Sequence, residues 1–177
     1  MKRVFLLGFM GVGKSTLGRI AAAKLSTRFM DFDVLVEQYQ EMTISQIFSQ
    51  CGQAFFRKIE HDLLREVVQT ETDFIMGTGG GLPCFHSNLE FMNEHGVTVY
   101  LKAPSSAIVE RLWNSSGARP LIANKSREEL SAYVEETLRV RSRYYEQAKE
   151  ILELDLTSSK VLNAGHLVQI IKRLEQG

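Results

Sequence analysis

Lys14 and Ser15 close the stretch Gly8-Phe9-Met10-Gly11-Val12-Gly13-Lys14-Ser15-Thr16, which fits the phosphate-loop pattern of glycine, four residues, glycine, lysine and a hydroxyl. The chemistry served by this spacing is the holding of phosphate. Glycines let successive backbone N–H groups turn inward where a Cβ would obstruct them. The positive end of a following helix adds to the attraction for anions. Lys14 is spaced to reach terminal phosphates, and Ser15 to offer its hydroxyl to Mg²⁺. Gly11, Val12, Gly13, Lys14, Ser15 and Thr16 are the candidate nucleotide-binding residues, and the motif predicts a nucleoside triphosphate as ligand.

Four further groups could do chemistry. Asp31-Phe32-Asp33 ends an apolar stretch. At the carboxyl end of a strand, one carboxylate could face a metal and the other a substrate hydroxyl. Taken alone, the pair reads equally well as two solvated aspartates, one of them capping a helix. Arg57 interrupts an apolar stripe three residues before Glu60, which could hold its guanidinium; taken alone, the pair reads more readily as a surface ion pair worth at most about 1 kcal/mol. Gly79-Gly80-Gly81 implies close approach of a ligand to main-chain N–H groups, since one glycine would suffice for a tight turn. Arg139, Arg141 and Arg143 spread over different faces of a helix, so at most one or two share a cleft. The four histidines have no metal-ligand spacing and read as structural or exposed.

The elements that must position these residues follow from hydrophobic periodicity. Val4 to Leu7 reads as a strand before the glycine loop, and Leu17 to Leu25 as the helix after it. Phe29 to Asp33 reads as a second strand, followed by helix from about Val34 with a break near Cys51-Gly52. Phe55 to Val68 is helical, with Phe55, Ile59 and Leu63 on one stripe. Strands are expected at Phe74–Gly77, Val97–Lys102 and Ile151–Asp155, and helices at about 87–95, 104–113, 126–149 and 164–174. Ser126 and Glu129 form a capping box at the start of the long one. Alternating strands and helices predict a parallel sheet covered by helices. Asn114 to Pro120 has no hydrophobic period.

At 177 residues a single α/β domain is expected, spanning 1–177. Basic and acidic residues balance at 21 each, so no global charge draws the chain to nucleic acid or an anionic membrane. No apolar run reaches transmembrane length, the chain enters its first strand without room for a signal peptide, and Cys51 and Cys84 lack metal-like spacing. A cytoplasmic protein, and a monomer, is the expectation.

Taken together, Gly8 to Thr16, Asp31-Phe32-Asp33, Phe56-Arg57 with Glu60, Gly79-Gly80-Gly81, Arg119-Pro120-Leu121, and Arg141 ahead of Tyr144-Tyr145 resemble the shikimate kinase family over nearly the whole chain. The resemblance implies a three-layer phosphate-loop kinase fold, with a five-stranded parallel sheet in the order 2-3-1-4-5 and a lid at about 114–125. It implies transfer of phosphate from ATP, with Mg²⁺, to the 3-hydroxyl of shikimate, on the route to chorismate and the aromatic amino acids. By that likeness Asp33 binds the accepting hydroxyl and helps take its proton, and Lys14 and Arg119 support the transferring phosphate. Ser15 ligates Mg²⁺, with Asp31 beside it. Arg57 and Arg141 clamp the carboxylate, Glu60 orients a guanidinium, and Gly79, Gly80 and Gly81 face the ring. Two departures stand out: Gln53 replaces a common glutamate, and the loop 157–160 lacks an arginine associated with the adenine end.

Rival readings are a gluconate or nucleotide kinase of the same branch, a binding protein without turnover, and a GTP-dependent switch. Asn124-Lys125-Ser126-Arg127 begins like a guanine-specifying motif, but its fourth residue is Arg127 instead of aspartate.

Overall fold

Strand and helix alternate along the chain in the computed structural model, which describes residues 3–115, 122 and 125–176. The order is β1 (Val4–Leu7), α1 (Lys14–Leu25), β2 (Arg28–Asp31), α2 (Phe32–Gln40), α3 (Ile44–Thr70), β3 (Phe74–Gly77), a 3₁₀ turn (Leu82–Cys84), α4 (Asn88–His95), β4 (Val97–Lys102), α5 (Ser105–Trp113), α6 (Arg127–Tyr145), β5 (Glu150–Glu153) and α7 (Lys160–Gln176). The strands form one parallel sheet in the order β2-β3-β1-β4-β5, as expected.

Side chains alternate across a strand, and the three central strands are buried on both faces, so each of these feeds two cores. Val4, Leu6, Ile75, Val99 and Leu101 join one core with residues of α1, α5 and α7. Phe5, Leu7, Phe74, Met76 and Tyr100 join the other with residues of α2, α3 and α4. Helix α6 serves both: Leu130 and Val134 pack in the first core and Tyr145 in the second. That path carries its last turns past the carboxyl ends of the strands, where the glycine loop, the aspartate pair and the glycine run also emerge.

Local differences from the sequence reading have identifiable causes. Strand β2 stops at Asp31, because Phe32 and Val36 share one helical face and are both wholly buried in the second core. Asp33 therefore sits in the first turn of α2 and not on a strand. A break the hydrophobic pattern concealed falls at Glu41–Thr43. Glu41 is left-handed, and Thr43 opens α3 with a capping box, accepting from the Gln46 backbone N–H at 3.2 Å while Gln46 Oε1 accepts from Thr43 N–H at 2.8 Å. The expected interruption at Gly52 is present, with φ 79° inside α3. Phe55 faces outward; the buried stripe is Phe56, Leu63, Leu64 and Val67, with Arg57 and Glu60 among them. Pro104 caps α5 and does not start it. Helix α6 has the expected Ser126–Glu129 capping box but ends at Tyr145, and α7 begins at Lys160, ahead of the expected Ala164.

Candidate active site

Helix α1 begins at Lys14, directly after Gly13, whose φ of 110° few side chains tolerate. The first-turn amides of α1, at Lys14, Ser15 and Thr16, have no intrahelical acceptor, and no acidic residue occupies that turn. Lys14 Nζ donates to the carbonyls of Gly8 at 2.8 Å and Phe9 at 3.0 Å. Together with Met10, Asp31, Asp33 and Gly80 these residues line a cleft of about 310 Å³.

Asp31 occupies the N-cap position of α2 but caps nothing; its Oδ2 accepts from Ser15 Oγ at 2.7 Å. A hydroxyl and a carboxylate side by side at a phosphate-binding helix suit Mg²⁺, a hard ion that takes one or two protein oxygens and completes its shell with water and phosphate. Among the described residues no three His, Cys, Asp or Glu side chains gather as a metal site. Phe32, wholly buried, anchors the turn between the two aspartates, a burial worth about 2–3 kcal/mol. Asp33 is directed into the cleft. Desolvation raises its carboxyl above the usual range, with Lys14 opposing and Asp31 adding to the rise.

The glycine run makes room for the protein's own side chains. A methyl group added at Gly79 would lie 2.6 Å from Asp33 Oδ1 and 3.4 Å from Glu60 Oε1. At Gly80 it would lie 3.1 Å from Arg141 Nη1, and at Gly81 2.6 Å from Arg57 Nη2. The absence of side chains admits the protein's own functional groups, brought in from α2, α3 and α6.

The Arg57–Glu60 pair is not a surface pair. Arg57 is 9% exposed and Glu60 1%, and Arg57 Nη1 donates to Glu60 Oε2. Burial pushes the Glu60 carboxyl up to about 7, against the pull of Arg57. Arg57 Nε is buried with no hydrogen-bond partner among the described residues. An unpaired buried donor of this kind is costly. Of the three alternating arginines only Arg141 meets the glycine run. Arg139 pairs with Glu136 on the exposed surface, and Arg143 donates to Tyr144 Oη.

Sequence reasoning passed over several contributors. Tyr145, wholly buried, donates its hydroxyl to Gly80 O at 2.5 Å and so pins the glycine run; its position four residues after Arg141, on the same helix face, was the available signal. Arg111 donates to Val12 O at 3.3 Å and lies between the phosphate cleft and a second cleft of about 510 Å³ bounded by Val12, Leu17, Ala107, Thr157 and Asn163. No local pattern marks it. Thr78 bonds Leu6 O at 2.9 Å beneath the cleft. Arg119, and most of the predicted lid, lie outside the described residues.

Comparison with known proteins points to one family. The family model described as shikimate kinase matches residues 10–174. A shikimate kinase of Azobacteroides pseudotrichonymphae is 45% identical over 148 residues, 84% of this chain and 87% of the relative. The crystal structure of shikimate kinase from Bacteroides thetaiotaomicron superposes with a TM-score of 0.90 at 35% identity, covering 99% of both chains. That of Acinetobacter baumannii shikimate kinase in complex with shikimate gives 0.86 at 28% identity, over 100% of this chain and 96% of the other. No described helix is long and apolar enough to cross a membrane.

Proposed function

The chain belongs to the shikimate kinase family, and on that premise we propose how its residues divide the ATP-dependent phosphorylation of shikimate. The observation that carries the assignment of roles is the meeting of Asp33, Arg57 and Arg141 at three consecutive glycines, with Asp33 and Gly80 lining the same cleft as Lys14. Arg57 keeps Nη1 on Glu60 and leaves Nε and Nη2 uncommitted, two of the N–H groups with which a guanidinium pairs a carboxylate. Arg141 supplies the second positive group of the clamp. The substrate ring then lies over the glycine run, with its 3-hydroxyl toward Asp33.

Asp33 orients that hydroxyl and accepts its proton as the oxygen attacks. Its raised pKa moves it toward the range where a general base works at neutral pH. Lys14 exchanges the carbonyls of Gly8 and Phe9 for the terminal phosphates of ATP, adding charge where the transition state needs it. Ser15 and Asp31 would hold Mg²⁺, which when bound neutralises phosphate charge. The second cleft takes the adenosine portion, with Arg111 at the boundary. Arg119 approaches the transferring phosphate from a lid at about 114–125, which keeps water from competing as acceptor. The reading extends to a monomer in the cytoplasm, supported by a site built within one chain and by two free cysteines.

The test is ADP release with ATP and Mg²⁺ across shikimate, gluconate and nucleoside monophosphates. Turnover confined to shikimate is expected. Equal turnover of gluconate would refute the carboxylate-and-ring reading of the acceptor site.

A further inference from the structure

We propose that Phe85 is a positioning residue for acceptor binding: its ring holds the plane of the Arg57 guanidinium in one orientation for the acceptor's carboxylate. Arg57 Cζ lies 4.2 Å from the Phe85 ring centroid and 5.1 Å from that of Phe56. Glu60 fixes one nitrogen of the guanidinium, and a single hydrogen bond leaves the group free to pivot about it. A ring against its face removes that freedom and adds a cation–π attraction. The guanidinium thus loses little further freedom when a carboxylate arrives, so more of the interaction appears as affinity.

The chain holds Phe85 in this place firmly. Leu82 N–H donates to Gly79 O at 3.1 Å and Cys84 N–H to Gly81 O at 2.9 Å, so the 3₁₀ turn springs from the glycine run itself. Asn88 N–H donates to Phe85 O at 3.0 Å. The wholly buried Asn88 side chain donates to Leu82 O at 3.1 Å and accepts from Arg65 Nη1 at 3.0 Å, which ties the turn to α3, the helix bearing Arg57. His86 and Ser87 then both adopt left-handed φ, at 51° and 53°, a conformation side chains disfavour. Two such residues in succession turn the chain away immediately after Phe85.

The inference rests on the proposed grip of Arg57 on a carboxylate, and the experiment separates the two. Phe85→Leu and Phe85→Met should raise KM for shikimate roughly 3- to 10-fold, with kcat and KM for ATP changed less than about twofold. Phe85→Tyr, which keeps the ring, should restore the wild-type KM. With shikimate carboxamide as acceptor, the Phe85→Leu penalty should disappear. The same penalty with the carboxamide, an unchanged KM for shikimate, or a failure of Phe85→Tyr to restore it overturns the role of Phe85. An Arg57→Ala penalty that persists undiminished with the carboxamide overturns the clamp itself, and this inference with it.

Discussion

Replacing Gly79 by alanine tests whether the glycine run exists to admit Asp33. The added Cβ would stand 2.6 Å from Asp33 Oδ1, where ordinary contact begins near 3.4 Å. Its φ lies outside the left-handed region, so the backbone takes alanine without strain. The obstacle is the tip of a side chain, which yields more readily than backbone. Restoring contact distance and alignment moves the carboxylate by roughly 1 Å, and a misplacement of that size costs about 10²-fold in turnover, near 3 kcal/mol in the barrier. Steady-state kinetics should show kcat reduced by that factor, KM for ATP unchanged, and a melting temperature within a few degrees of wild type. A double-mutant cycle locates the effect. Asp33→Asn alone should reduce kcat by about 10²-fold or more, but little further once Gly79→Ala is present, because both act on one proton transfer. Near-wild-type turnover of Gly79→Ala, or full additivity with Asp33→Asn, would refute the reasoning.

Lys14→Ala should lower kcat by about 10²- to 10³-fold with the melting curve nearly unchanged; normal turnover would remove Lys14 from the catalytic set. Glu60 makes stability pH-dependent. Its carboxyl titrates near 7 in the folded chain against 4.5 when free, so folding retains a proton the unfolded chain releases, and stability falls as pH rises from about 4.5 through 7. Urea unfolding across that range should show a decline of at most about 3 kcal/mol that is missing in Glu60→Gln; an equal decline in both would assign it to other groups. Tyr145→Phe removes the bond to Gly80 O, and should lower the melting temperature by about 2–4 °C while raising KM for shikimate; unchanged values for both would show the bond to be dispensable.

The phosphate loop was legible because its chemistry is local: a glycine turn, a lysine and a hydroxyl lie consecutively, and the helix they open follows at once. The sheet order was legible through the family's motifs. Asp33 was found but misplaced onto a strand, since a three-residue alternation looks the same whether the chain continues extended or coils after Asp31. Arg57 looked like half of a surface pair because i,i+3 spacing says nothing about which helix face the sheet covers. Here the face bearing Glu60 lies inward, and that depends on β3 and the glycine run, some twenty residues on. The three glycines were read as the close approach of a ligand; the structure adds close approaches from α2, α3 and α6, and no local pattern encodes contacts between such distant segments. Phe85 and Arg111 were illegible for the same reason.

The strand order has a consequence for the chain during its own synthesis. β1 is translated first, yet it lies in the middle of the sheet, with Val4 paired to Ile75 on one side and Val97 on the other. β2 cannot shield it, since that strand pairs only with β3. At about 5–20 residues per second, Val4–Leu7 waits roughly 4 to 14 seconds for its first neighbour to be made. Through that interval α1, α2 and α3 are available to cover the faces of these four buried residues, but both edges of the strand have no partner strand. Pairing across such separations also closes large loops, which slows folding. The strand that carries the phosphate loop thus spends the early part of synthesis with both edges open to wrong partners.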